Sequence, residues 1–265
     1  MATLVLLIGD RATSEGSLAA YLALRQANVV FEIERWREGH LPGLDGPWLP
    51  EPPVLLVDQV PIWDSLAIGE FLAEHVPGLW PQDPRARAVA RSVAHEAHAG
   101  FRGLRTFLPL DLLSSFGPPG RLPRSAEHDI DGVACLWRSC RREFGAGGPF
   151  LFGAFTLADA MFAPISLRLV TGGVPLDAVS RDYVATIAAL PSLGEWVEAA
   201  RTEHGSLRER AVPLALEPGS PRQRVAPASD PAAPGGSSTD APKPPTPSGP
   251  SATVKPIGTG TRRRH

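Results

Sequence analysis

Every strand-like stretch of this chain lies within its first 63 residues. Apolar runs at 4–8, 29–33, 54–57 and 60–63 are four or five residues long and bounded by Gly, Pro, Asp or Asn. Runs this short and so punctuated read as strands, and the first, unbroken by polar residues, as one covered on both faces. Between the first two runs, 18–27 reads as a helix; the last two turn through Asp58-Gln59. From Ser65 onward the apolar period is that of helices: Leu66, Ile68, Phe71 and Leu72 give one face of a helix over 65–75. Pro77, Gly78 and Pro81 then break the chain, and helical patterns follow at about 83–113, 125–144, 157–170, 177–190 and 192–203. The order βαβ, loop, ββα, then helices alone, predicts a small α/β domain over 1–80 and an all-helical one over 83–212.

Composition separates the end of the chain from the rest. Residues 213–265 hold 12 of the 29 prolines and no Phe, Trp or Tyr, so they bury too little apolar surface to offset their ordering entropy and are expected to be a disordered tail. That tail carries 7 Lys+Arg against 3 Asp+Glu, which leaves the remainder with 19 against 25. A net acidic body argues against a nucleic-acid surface. The first apolar run lacks a basic flank and is too short for a signal peptide or a membrane span, so a cytoplasmic protein with no membrane partner is expected. Cys135 and Cys140, five apart in a helical pattern, share no face and predict neither a disulfide nor a metal site.

The stretch PEPPVLLVDQVPIWDSLAIGEFL, residues 50–72, sets two adjacent prolines before the third strand and an Asp-Ser pair at the start of the next helix. Together with the element order, RARAVARSVAHEAHAGFRGLRTFLP from Arg85 and GPFLFGAFTLADAMFAP from Gly148, this resembles the cytosolic glutathione transferase family, and in particular a bacterial branch with a serine-type motif. The resemblance spans about residues 3–203. It implies a thioredoxin-like α/β N-terminal domain plus an all-α C-terminal domain, glutathione as co-substrate, a small electrophile as second substrate and a homodimer. It also implies that Pro53 is cis, that the backbone of Pro52 meets the cysteinyl part of glutathione, and that Asp64 and Ser65 hold its γ-glutamyl end. Independently of any resemblance, the N–H groups and partial positive charge of a helix N-terminus suit a carboxylate, while Asp64 suits an ammonium. Simple helix capping by either residue is the structural alternative.

Glutathione acts as its thiolate, which the family stabilises with a hydroxyl after the first strand. The branch motif Tyr-Ser-Ser-Trp-Ser falls on Thr13, Ser14, Glu15, Gly16 and Ser17. By that correspondence Ser14 is the thiolate stabiliser, Ser17 matches the last Ser and Thr13 is a neighbouring hydroxyl; the alternative for Ser14 is an N-cap, with Gly16 loosening the first turn. Two departures weaken the pattern. Glu15 stands where the family has Ser, and a carboxylate beside a nascent thiolate raises the thiol pKa unless it points to solvent. Pro52 stands where the family has a residue that also donates its N–H, and proline has none; the lost bond is worth about 1 kcal/mol, roughly fivefold in affinity.

Arg87, Arg91, His95, His98, Arg102 and Arg105 recur at helical spacing and predict one basic stripe, read mainly as a solvated or ion-paired edge, the alternative being a basic wall that lowers a nearby thiol's pKa or holds an anionic substrate. The spacing of His95 and His98 does not fit a zinc-protease helix. Thr156 to Asp159 reads as a capping box, and Trp63, Trp80, Trp137 and Trp196 as packing residues. The resulting expectation is conjugation of glutathione to a small electrophile. The alternatives are a glutathione-dependent isomerase and a noncatalytic scaffold of the same fold.

Overall fold

The computed structural model of the 265-residue chain describes residues 3–37, 41, 44, 49–114, 117 and 120–210. They belong to one compact unit, 1–213. The tail expected over 213–265 lies outside the described residues.

Strands β1 (Leu4–Ile8), β2 (Glu32–Arg35), β3 (Val54–Val57) and β4 (Val60–Trp63) form a sheet of order β2-β1-β3-β4. β2 runs parallel to β1; β3 and β4 run antiparallel to their neighbours. Alternation sends Leu6, Ile8 and Leu55 into the main core, and Val5, Leu7, Val54 and Leu56 into a second cluster with Leu41 on the other face. Both faces of β1 are therefore covered, as its unbroken apolar run implies. Asp58 and Gln59 both take positive φ (47° and 72°), the backbone of a two-residue type I′ hairpin turn.

Two expectations need correction. The second strand is not 29–33 but Glu32–Arg35, and Val30 is 93% exposed. β2 is an edge strand paired to β1 alone, so a polar, partly solvated sequence suffices there and the more apolar segment before it stays out of the sheet. The single helix expected over 83–113 is two helices: α3 (Pro84–Ala99) and α4 (Arg102–Phe107), separated by Gly100 and by Phe101 at φ 54°. The break turns Phe101 into the core beside Phe162 and lets Gly103 lie against the backbone of Ser125, where a Cβ would sit 2.7 Å away. Arg102 and Arg105 thus leave the stripe predicted for them.

The remaining elements are α1 (Glu15–Gln26), which begins three residues earlier than expected, α2 (Ser65–His75), α5 (Arg124–Phe144), α6 (Leu157–Thr171), α7 (Ala178–Ala188) and α8 (Pro191–Arg210). α6 is the central helix, packed against α1, α2, α3 and α7. Its start is fixed by the expected capping box: the Asp159 carboxylate accepts from Thr156 N (2.8 Å) and Oγ1 (3.0 Å), Leu151 N (3.1 Å) and the Tyr183 hydroxyl (3.1 Å). Trp80, Trp137 and Trp196 are buried, as a packing role requires; Trp63 is 40% exposed. Among the described residues no helix is long and apolar enough to cross a membrane.

Candidate active site

Antiparallel pairing sets Val54 opposite Trp63, so the residues just outside the ladder, Pro53 and Asp64, meet at one end of the sheet. The Pro52-Pro53 peptide bond is cis. Helix α1 points its N-terminus at the same place, and closely: a Cβ on Gly16 would lie 2.9 Å from Cδ of Pro53. Gly16 does more than loosen a turn, since any side chain there would push the helix off the proline. Gly16, Pro52, Pro53, Asp64, Ser65 and His98 line a groove of about 280 Å³. All four residues expected to hold glutathione share it.

Asp64 is both cap and wall of this groove. Its Oδ1 accepts from the N–H groups of Leu66 (2.8 Å) and Ala67 (3.2 Å), and its Oδ2 lies 2.8 Å from Nε2 of His98. Burial works to raise its pKa, but His98 and the two N–H groups outweigh it and hold the carboxyl below its usual range. Its φ of 75° and ψ of 129° are unusual for a residue with a side chain, a strain that tends to be kept where a site needs it. Ser65 is buried, with Oγ 3.4 Å from Nδ1 of His98 and 3.7 Å from the sulfur of Met161.

Ser14 is the N-cap residue of α1, yet its side chain makes no capping bond. Instead its hydroxyl lies 2.7 Å from Oγ of Ser17, which also accepts from Gly9 N at 3.0 Å. A Cβ on Gly9 would sit 3.0 Å from Oγ of Ser14 and 3.3 Å from Cγ of Pro52, so the hydroxyl and the proline ring converge on one point of the backbone. Ser17 is fully buried and anchors Ser14 to the end of β1. Thr13 is exposed; its hydroxyl reaches Asp10 (3.4 Å), and it lines a separate pocket of about 300 Å³ with Asp111, Ser114, Arg201 and His204.

Glu15 neither points to solvent nor stands alone. It accepts from Arg105 and, through Oε2, from Nη2 (2.7 Å) and Nε (3.2 Å) of Arg168. Arg105 also donates to the carbonyls of Ala97, His98 and Gly100 at the end of α3, and Arg168 to that of Leu108 (2.6 Å). The cluster ties α1, α4 and α6 together and carries one net positive charge. Sequence reasoning named His98 and Arg105 only as members of a basic stripe read mainly as a solvated or ion-paired edge, and it missed Arg168. Arg168 had left a signal: it is the sole Lys or Arg in the apolar stretch LADAMFAPISLRLVT, and a charge in a buried helix needs a partner.

Among solved structures, a glutathione transferase homologue of Burkholderia, with bound glutathione, superposes with a TM-score of 0.54 at 22% identity, covering 76% of this chain and 98% of that one. Glutathione S-transferase unclassified 2 of Bombyx mori gives 0.55 at 21% identity, over 78% and 98% of the two chains. The chain has the glutathione transferase fold. Its sheet and α1–α2 are the thioredoxin-like layer of that fold, and α3–α8 its helical part. A maleylacetoacetate isomerase of Anaeromyxobacter dehalogenans 2CP-1 shares the transferase fold too, with a TM-score of 0.51 and 24% identity over 83% of this chain and 98% of that one. In sequence, the chain is 30% identical to the maleylacetoacetate isomerase of Rattus norvegicus over 115 residues, 42% of this chain and 50% of that protein. The chain thus spans about half the length of the curated relative it matches. No family model matches it.

Proposed function

We propose that the chain binds glutathione in the groove between Gly16, Pro52-Pro53 and Asp64-Ser65 and adds its thiolate to a small electrophile. The observation that carries this is the convergence of the cis proline, the Asp-Ser helix start and the Ser14 hydroxyl at one end of the sheet. In this reading the Pro52 carbonyl accepts the cysteinyl N–H, Ser65 offers its N–H and hydroxyl to the γ-glutamyl carboxylate, and Asp64 meets the ammonium. The Ser14 O–H turns from Ser17 to donate to the sulfur. The thiol proton leaves to solvent, the sulfur lone pair forms a C–S bond, and the electrophile expels its leaving group or takes up a proton. Glu15 does not oppose the thiolate as its charge alone implies, because two guanidiniums neutralise it.

A second reading rests on the likeness to maleylacetoacetate isomerases in both sequence and structure. There the thiolate adds to a conjugated double bond, rotation follows, and elimination returns free glutathione. We also propose a homodimer acting in the cytoplasm, and a role in detoxification if the first reading holds. Calorimetric titration with glutathione, followed by conjugation and cis-trans isomerisation assays over a panel of electrophiles and conjugated acids, tests the proposal. Binding with turnover is the expected result, while binding without turnover supports the noncatalytic scaffold and absence of binding removes both enzymatic readings.

A further inference from the structure

Among the described residues lining the groove, His98 is the sole contribution from the helical part of the fold. Its ring bridges the Asp-Ser pair, with Nε2 2.8 Å from Oδ2 of Asp64 and Nδ1 3.4 Å from Oγ of Ser65. Asp64 has already taken the N–H groups of Leu66 and Ala67 through Oδ1. A helix N-terminus of α2 would otherwise offer those donors to an anion; here the Ser65 N–H and hydroxyl are left to do so, next to a carboxylate that repels one.

A zwitterion bound at this place needs a local cation as well as a local anion. A charged imidazole supplies one and has N–H donors on both ring atoms, so that Nε2–H stays on Asp64 while Nδ1–H turns to a ligand carboxylate. We propose that His98 is a further glutathione-binding residue, supplying the cation for the α-carboxylate of the γ-glutamyl group, so that the groove takes this zwitterionic end best while the imidazole is protonated. This rests on the glutathione reading above.

The charged groups that act on His98 are Asp64 at the start of α2, Arg105 on α4 and Glu15 on α1, and Glu51, in the segment before β3, lines the same groove. The hydrogen bond that the imidazole donates to Asp64 is the strongest influence and keeps the imidazole pKa above its usual value; burial and the Arg105 guanidinium oppose it, and the charges of Asp64 and Glu15 add to it. The cation is therefore present at mildly acidic pH and is lost as pH rises past the ordinary histidine range.

The test is calorimetric titration with S-methylglutathione, whose blocked sulfur removes thiol ionisation from the measurement, between about pH 5.5 and about pH 8. The affinity of the unaltered protein should fall roughly three- to fivefold across that range, the size of a partly exposed charge contact. His98→Gln should bind at the weaker level throughout, and His98→Lys, whose charge is fixed in this range, at the stronger level throughout. A pH-independent affinity in the unaltered protein overturns the inference while leaving the glutathione reading standing, and so does a slope that survives in His98→Gln. No binding at any pH overturns both.

Discussion

Glu15→Gln removes the carboxylate that two arginines share while leaving an isosteric amide in its place. The side chains of Arg168, Arg105 and Glu15 are 9%, 19% and 32% exposed, so the guanidiniums are the more deeply buried members of the cluster. Breaking a buried pair costs about 3–5 kcal/mol because the remaining charge is stranded. Two features of the structure reduce that figure. Glu15 is a third exposed, and both arginines keep neutral acceptors, the carbonyls of Ala97, His98 and Gly100 for Arg105 and of Leu108 for Arg168. The expected loss is about 2 kcal/mol, which lowers the urea midpoint by roughly 1 M at an unchanged slope. Arg168→Met alone should also destabilise, but the double variant should lose less than the two single losses together, since Arg168→Met removes one of the two charges that Glu15→Gln strands. A loss below about 0.5 kcal/mol for Glu15→Gln, the range of an ordinary surface substitution, would refute the buried-cluster account and return Glu15 to solvent. Its chemical counterpart is the pH titration of bound thiolate by ultraviolet absorbance. If glutathione binds as proposed, unbalancing two cations near the α1 N-terminus should lower the thiol pKa, and a rise would contradict the proposed position of the sulfur near that N-terminus.

Three further outcomes are expected. Pro52→Val should restore a backbone donor at the groove and tighten glutathione binding about fivefold by calorimetry. Gly16→Ala should gain helix propensity yet weaken glutathione binding, because its Cβ would lie 2.9 Å from the Pro53 ring and something must shift; unchanged affinity at unchanged stability would show that the close approach is not needed. The Asp64–His98 contact should add less than about 1 kcal/mol of stability, both groups being partly exposed. The lowered Asp64 pKa makes that contribution present above the ordinary carboxylate range and lost as pH falls through the folded value. The raised His98 pKa makes it complete below about pH 6.5 and lost as pH rises through the folded value. Denaturation midpoints of His98→Gln against the unaltered protein should therefore differ most between about pH 4 and about pH 6.5.

β3, β4 and α2 were legible to the residue, because Pro53, Asp58 and Asp64 punctuate apolar runs that the sheet and core then use as written. β2 was displaced because Val29, Val30 and Phe31 have strand propensity while the edge position rewards backbone pairing more than burial. The break between α3 and α4 carried a signal in Gly100, but the apolar period runs through Phe101 and Leu104 and hides it. The groove residues Pro52, Pro53, Asp64 and Ser65 were legible because they flank consecutive elements. The partners of Glu15 were not, since Arg105 and Arg168 lie 90 and 153 residues away and only tertiary packing of α4 and α6 on α1 brings them in. His98 was visible as one of a basic stripe, but nothing in the stripe told which member faces the groove.

The central claim is that one end of the sheet holds glutathione with its sulfur at Ser14. A crystal structure of the protein grown with glutathione tests it most directly. The account predicts the tripeptide along Pro52-Pro53, its γ-glutamyl end at Asp64 and Ser65, and its sulfur within hydrogen-bond reach of the Ser14 hydroxyl. Glutathione bound elsewhere, or bound here with its sulfur turned away from Ser14, would contradict it.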